Sequence, residues 1–292
     1  MRVGAYGFKR KYAHMFVPDP RNGDFIWQDH ATTGLRQLSP AEIAAFDRDG
    51  AVCLRGAVDT AMLDALTAVI DRIESGVGDT VLTLEGGQQV AYRADSMTFA
   101  RNLVAVSEVV RDFIGGDLFQ GLGHDLIGPD VRLYWDQAVY KKPEAKRAFP
   151  WHQDNGYTFT DPQTYITCWL ALNDATVENG CVHVLPGLHR RGTFRHTVTD
   201  AGYAIAGSDD PEVEARSLAM PAQAGDMIVF SSLTPHKTGP NLSDGVRKAL
   251  IVQLMPDGLV FINDDGSRDS RADPVLNMPI LQGGAAAHAR AV

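Results

Sequence analysis

The run Tyr165-Ile-Thr-Cys-Trp-Leu-Ala-Leu172 is the strongest constraint on the fold. It is rich in strand formers, and both of its alternating faces are apolar. A strand that must be covered on both faces belongs in the middle of a sheet with a layer on each side. Val131 to Tyr140, Cys181 to Leu185, Met227 to Ser231 and the segment closing at Met255 read as further strands. Between them stand Glu178-Asn179-Gly180, Pro186-Gly187 and Gly225-Asp226, which are turn chemistry. Two helices come first. Ser39-Pro40-Ala41-Glu42 combines an N-cap serine, a first-turn proline and an acid, and Asp49-Gly50 closes that helix. Asp59 to Ile73 repeats apolar residues at helical spacing, with the short strand Ala51 to Arg55 between the two. Helices followed by many short strands predict a mainly β, jelly-roll barrel with flanking helices, in one domain.

Other stretches carry weaker expectations. Val81-Leu84 and Gln89-Tyr92 read as a hairpin about Glu85-Gly86-Gly87. Leu103 to Phe113 reads as one helix, and Gly115 to Gly128 as a Gly-rich loop or broken helix in which His124-Asp125 is structural. On the strand Val131 to Tyr140, strict alternation puts Val131, Leu133, Trp135, Gln137 and Val139 on one face. Lys141 to Arg147 reads as a solvated basic loop, or as a guide for an anionic substrate. Thr197 to Glu214 reads as a polar loop across the barrel mouth. Residues 1–37, with Tyr6, Phe8, Tyr12, Phe16, Phe25 and Trp27, form an extension packed on the barrel, or else a lid or subunit contact. Beyond Met255 the pattern fades. Residues 263–292 form a tail, frayed from Gly283 onward.

A net charge of −9 argues against general nucleic-acid binding, which needs a basic face. Cys53, Cys168 and Cys181 are scattered and odd in number, so neither a zinc finger nor a disulfide framework is expected. Reduced thiols, with no apolar run near membrane-spanning length and no signal peptide in view, point to the cytoplasm.

The chemistry centres on Trp151-His152-Gln153-Asp154. On a strand, residues two apart share a face, so His152 and Asp154 can present an imidazole and a carboxylate to one point. His236, 82 positions after Asp154, can return as a third ligand. Two histidines and one carboxylate with open positions is the facial set of non-haem Fe(II) oxygenases. An isolated H-x-D is otherwise a surface pair, and His183 and His189 lack a carboxylate at strand spacing. The second half of the pattern lies around Asn241 to Gly245. A chain reversal about Leu242 and Ser243 would set Thr238 opposite Arg247 and His236 opposite Ala249. A guanidinium there suits a bidentate grip on a carboxylate, such as the far end of 2-oxoglutarate.

Four segments together resemble the phytanoyl-CoA dioxygenase-like Fe(II)/2-oxoglutarate oxygenases: Pro150 to Asp154, Asn179 to His189, Ala224 to Phe230, and His236-x-Thr238 with Arg247. The resemblance runs from about Leu38 to Met255; Leu188 departs from it, standing where serine is usual. It implies a double-stranded β-helix (cupin-like) domain over residues 38–262, with His152, Asp154 and His236 on Fe(II). It further implies Arg247 and Thr238 on 2-oxoglutarate, and Gln137 and Trp169 beside that co-substrate. Trp169 reads equally as a core residue. O2 would be the oxidant. The substrate would be a small molecule, whether an acyl-CoA, an amino-acid derivative or a secondary metabolite. Asp154 favours hydroxylation over halogenation, with desaturation, ring formation and epoxidation left open at this point. Asn155 and Tyr157, just past the ligands, are candidate substrate contacts, or they brace the loop. A different metal enzyme on a cupin-like barrel, and a catalytically silent barrel acting as a binding protein, stay open at this point.

Overall fold

The computed structural model describes residues 16–83, 89–270 and 272–287. After a single 3-10 turn at Pro20–Asn22 come α1 (Pro40–Asp49), β1 (Ala51–Leu54), α2 (Thr60–Glu74), β2 (Thr80–Thr83), β3 (Gln89–Tyr92) and β4 (Met97–Arg101). Three helices follow: α3 (Leu103–Val106), α4 (Glu108–Ile114) and α5 (Asp117–Leu126). The barrel then continues through β5 (Val131–Lys141), β6 (Phe149–His152), β7 (Thr160–Asp161), β8 (Ile166–Ala171) and β9 (Val182–Val184). Next are the hairpin β10 (His196–Thr199) and β11 (Gly202–Ile205), the turn of helix α6 (Pro211–Glu214), β12 (Leu218–Met220), β13 (Met227–Ser231) and β14 (His236–Thr238). The chain closes with β15 (Arg247–Pro256), β16 (Val260–Ile262), β17 (Arg268–Ser270), β18 (Pro279–Gln282) and β19 (Ala285–Ala286).

Two sheets make a jelly roll. The larger runs β1-β13-β8-β15-β5-β18-β19, with β4 also on β5; the smaller runs β12-β9-β14-β6. Strand β8 is central, as its two apolar faces require. Ile166, Cys168 and Leu170 pack outward with the helices, against Ile43, Phe46, Leu66 and Phe119. Trp169 and Ala171 face inward, against Val182, Val184 and Phe230. Each such buried side chain contributes about 1.5–3 kcal/mol. Capping is as the sequence predicts at α1, where Ser39 and Glu42 exchange hydrogen bonds and Gly50 is left-handed at φ 81. Asp59 caps α2 through the Met62 amide.

The structure corrects several expectations. β14 and β15 are not hairpin partners. β14 pairs with β6 and β9, whereas β15 pairs with β5 and β8. The Asn241 side chain donates to the carbonyls of Lys141 and Gly245, which turns the chain from one sheet to the other instead of back on itself. Residues Gly115 to Gly128 hold helix α5. Glycine disfavours helix by about 1 kcal/mol each, but a Cβ on Gly121 would come within 2.7 Å of Gln37, so the small residues permit close packing while Phe119 and Leu122 are fully buried. Leu103 to Phe113 is two helices, because Ser107 is extended and caps the second through the Val110 amide.

On β5 the alternation shifts. Trp135 pairs with Gln253 but Leu133 pairs with Leu254, so Tyr134 is an extra residue. Val131 and Leu133 therefore share the helix side with Asp136, Ala138 and Tyr140, not with Gln137. Thr197 to Glu214 is mostly the β10-β11 hairpin and α6. Residues 279–286 return as β18 on β5 and β19 at the sheet edge, so the described residues past Gly283, up to 287, are in part strand, while 288–292 lie outside the described residues. Phe16 packs on Phe194 and Trp27 on Phe46, which places the described part of the N-terminal extension on the barrel. Tyr6, Phe8, Tyr12 and the Glu85-Gly86-Gly87 turn lie outside the described residues.

Candidate active site

β6 ends at His152, and His236 opens β14 directly opposite it in the smaller sheet. Asp154 follows β6 by two residues. Ligand atoms of His152, Asp154 and His236 lie within 4.8 Å of one another, the one such group among the described residues. Each imidazole is oriented from behind. His152 Nδ1 donates to the Pro150 carbonyl at 2.8 Å, and His236 Nδ1 to the Thr234 carbonyl at 3.0 Å. Both Nε2 atoms are thereby left as lone-pair donors facing Asp154 Oδ1, at 3.9 and 3.7 Å. The other carboxylate oxygen is held by the Thr167 hydroxyl and by Gln253 Nε2 at 3.0 Å. Burial pushes His152 down to about 3 and His236 to about 4, so both rings are neutral. Burial raises the Asp154 carboxyl, opposed by His152, Thr167 and Gln253. Oriented imidazoles backed by carbonyls, with a braced carboxylate, form a donor set suited to a divalent metal.

The triad opens into a cavity of about 270 Å³ between the two sheets. Arg247, Thr238, Gln137, Trp169 and Tyr157 all line it. Arg247 is 1% exposed, and its Nε and Nη1 have no partner. Its guanidinium lies 5.3 Å from the centre of the Trp169 ring, and burial pushes its pKa down to about 10. An unpaired buried guanidinium is destabilising by several kcal/mol. Its free N–H donors are chemically able to take an anion that enters the cavity.

Three contributors were not singled out from sequence. Thr167 and Gln253 brace Asp154. Lys141, expected in a solvated loop, is the end of β5 and fully buried. Its ammonium donates to Thr238 Oγ1 at 2.8 Å, to the Gly239 carbonyl at 2.5 Å and to the Thr238 carbonyl at 3.4 Å. Burial, then Arg247 and Lys237, push its pKa well down. The arrangement leaves the Thr238 hydroxyl proton free to point into the cavity that Arg247 also lines. A lysine flanked by Lys142 and Pro143 reads as loop; only the strand's length shows otherwise.

The family model for phytanoyl-CoA dioxygenase matches residues 46–249. The chain belongs to the phytanoyl-CoA dioxygenase family. A phytanoyl-CoA dioxygenase of Arabidopsis thaliana is 26% identical over 172 residues, 58% of this chain and 61% of that protein. A methylphosphonate hydroxylase of Gimesia maris is 35% identical over 129 residues, 43% of this chain and 45% of that protein. The matched stretches span about half the length of the curated relatives, from 42% to 61% for the first four. Among solved structures, the epimerase SnoN in complex with Fe3+, alpha ketoglutarate and nogalamycin RO shares the fold. It superposes with a TM-score of 0.62 at 22% identity, covering 80% of this chain and 91% of SnoN.

Within this family member, Asn155 does not reach the cavity. It is fully buried, donating to Thr193 Oγ1 at 2.6 Å and accepting from the Thr160 amide and hydroxyl. It braces the loop after the triad. Tyr157 does reach the cavity, and its buried hydroxyl has no partner. His183 and His189 stay outside, the latter bonded to the Asp47 carbonyl at 3.2 Å. His124-Asp125 is structural: Asp125 accepts from the amides of Arg36, Gln37 and Leu38.

Proposed function

We propose that the chain is an Fe(II)- and 2-oxoglutarate-dependent oxygenase that hydroxylates an unactivated C–H bond of a small molecule. The observation that carries this is the unpartnered Arg247 guanidinium in the same cavity as the triad. A zinc hydrolase, a dioxygenase that needs no 2-oxoglutarate, or a silent binding barrel has no use for that clamp. His152, Asp154 and His236 would hold the iron, and Arg247 with Thr238 the far carboxylate of 2-oxoglutarate. Iron and co-substrate supply the oxidising chemistry, consuming O2 and releasing succinate and CO2.

The chain's own residues position and exclude. Thr167 and Gln253 fix the rotamer of Asp154, so its free oxygen meets the two Nε2 atoms. Trp169 covers one face of the clamp, which strengthens its charge-assisted bonds by keeping water out. Gln137 lines the wall between, and Tyr157 offers its hydroxyl to the substrate. Residues 38–262 would make up the oxygenase domain. The free cysteines fit a reducing compartment, and we extend the reading to the cytoplasm. No helix among the described residues is long and apolar enough to cross a membrane.

The test is anaerobic titration of the iron-loaded protein with 2-oxoglutarate, followed by the visible metal-to-ligand charge-transfer band. The band should form in the wild type and vanish in His152→Ala. Iron binding without a band would overturn the clamp assignment, and no iron binding would overturn the triad.

A further inference from the structure

A second guanidinium enters the same cavity. β4 carries Met97, Phe99 and Arg101 at alternate positions, and all three line the cavity wall. Arg101 is half-buried, yet its Nη2 is fully enclosed and has no hydrogen-bond partner. Asp154 is the one carboxylate among the lining residues, and its oxygens are committed to the triad, Thr167 and Gln253. Two acids of α2 are committed elsewhere as well. Asp71 and Glu74 lie behind the sheet, bonded to Tyr140, Lys248 and Thr98.

Strand register separates the two arginines. Arg101 pairs with Gln137, Gln137 with Ile251, and Ile251 with Trp169, so these four form one row across the inner face. The neighbouring row is Trp135, Gln253 and Thr167, which braces Asp154. Arg247 lies four residues from Ile251 along β15, in the row of Met97 and Lys141. At the usual strand dimensions the Cα atoms of Arg101 and Arg247 are about 13 Å apart along the strands and about 10 Å across them. Phe99, Val139 and Ala249 form the row between. The two arginines thus start from different rows of the wall, and Arg101 is next to the row that braces Asp154.

We propose that Arg101 is the substrate's anion anchor, that the Gln137 amide paired beside it serves that anion and not the co-substrate to which the resemblance assigned it, and that the substrate is a small organic oxyanion, carboxylate or phosphonate, whose apolar part lies toward the triad. The inference rests on the triad and Arg247 being the iron and 2-oxoglutarate sites. With Arg247 taken by the co-substrate, Arg101 is the cavity's remaining unmatched guanidinium. A planar fork beside an amide donor matches two oxygens of an oxyanion. The aromatic and aliphatic wall around it suits an apolar chain or ring, not a polar one.

The test uses matched probes, hexanoate, hexylphosphonate and hexanol, titrated calorimetrically into the anaerobic iron-loaded protein at saturating 2-oxoglutarate. The charge-transfer band is recorded on the same samples. One or both anions should bind at least ~10-fold more tightly than hexanol, the scale of a charge-assisted hydrogen-bonded pair; their ratio tells carboxylate from phosphonate. Arg101→Gln should remove that preference and Arg101→Lys should keep part of it. Equal binding of anions and alcohol, or an anion preference that survives Arg101→Gln, overturns the proposal. So does anion binding that disappears when 2-oxoglutarate is added, because the anion then occupies the Arg247 clamp. Absence of the band in the wild type sinks the co-substrate reading instead, and an Arg101-dependent anion preference in those samples still supports the anchor.

Discussion

Arg247 and Lys141 are buried cations paired directly across β15 and β5, and they meet different fates. Lys141 has three acceptors; Arg247 lacks partners on two nitrogens. Arg247→Ala should therefore raise the 2-oxoglutarate Kd by roughly 30-fold or more, the scale of a lost charge-assisted bidentate pair. Arg247→Lys should recover only part, since an ammonium cannot form the fork. Lys141 acts through Thr238. If its role is to turn the hydroxyl outward, Lys141→Met should weaken 2-oxoglutarate by about 10-fold in the wild type and add little in a Thr238→Val background. Additive effects in that cycle would show that Lys141 acts by charge alone. His189 gives a residue-scale pH prediction away from the triad. Burial holds it at about 3, against an ordinary 6.5, with Arg190 adding to the effect. A histidine depressed in the folded state stabilises fully above its unfolded pKa, and that contribution is lost as pH falls toward the folded value. Between pH 6.5 and 5 the loss from this group should be about 2 kcal/mol. His189→Gln, which keeps a donor for the Asp47 carbonyl, should flatten the dependence of urea midpoint on pH.

At the scale of elements, the end of α1 supports the His152-Asp154-His236 cluster. Gly50 is left-handed, and a Cβ there would lie 2.5 Å from both His189 Nδ1 and Thr234 Oγ1. Thr234 Oγ1 donates to the Gly50 carbonyl, and the Thr234 carbonyl orients His236. Gly50→Ala should cost about 2–4 kcal/mol of stability, from strained backbone plus overpacking, and should also weaken iron binding because Thr234 must move. Unchanged iron affinity at reduced stability would show that the helix end and the ligand are uncoupled. The helix start at Ser39, its stop at Gly50, the double-faced β8 and the two segments that bring His152, Asp154 and His236 together were legible in sequence because each is set by local chemistry. What was not legible depends on distant partners. The bulge at Tyr134 arises where β5 meets β15, and it changes which residues of β5 reach the cavity. The split of β14 and β15 between sheets depends on Asn241 bonding to Lys141 across the barrel. The hairpin register was wrong, yet Thr238 and Arg247 still meet in one cavity because the two sheets face each other across it. Asn155 stands next to a ligand in sequence, but Thr193 and Thr160 claim its amide.

At the scale of the molecule, the main core and the site lie on opposite faces of the larger sheet. Ile166, Leu170, Val229, Leu250 and Val252 join the helices in one continuous apolar cluster that includes no triad residue. The fold therefore does not need the metal in the way a small metal-nucleated domain does. The cavity nonetheless carries the unpartnered nitrogens of Arg247, and a ligand that supplies their counter-charge adds stability by mass action. Thermal unfolding in chelator should be a single cooperative transition. Iron with 2-oxoglutarate at about 100 times Kd should add about 2.7 kcal/mol, which raises Tm by roughly 4–5 °C for a chain of this size. In Arg247→Ala the chelator-treated protein should be as stable as the wild type or more so, because an unpaired buried charge has been removed, while most of the 2-oxoglutarate increment is lost. Loss of the folded state on chelation would contradict the separation of core and site. A co-substrate increment that persists in Arg247→Ala would mean that the far carboxylate is held elsewhere, with Lys141 the next group to test.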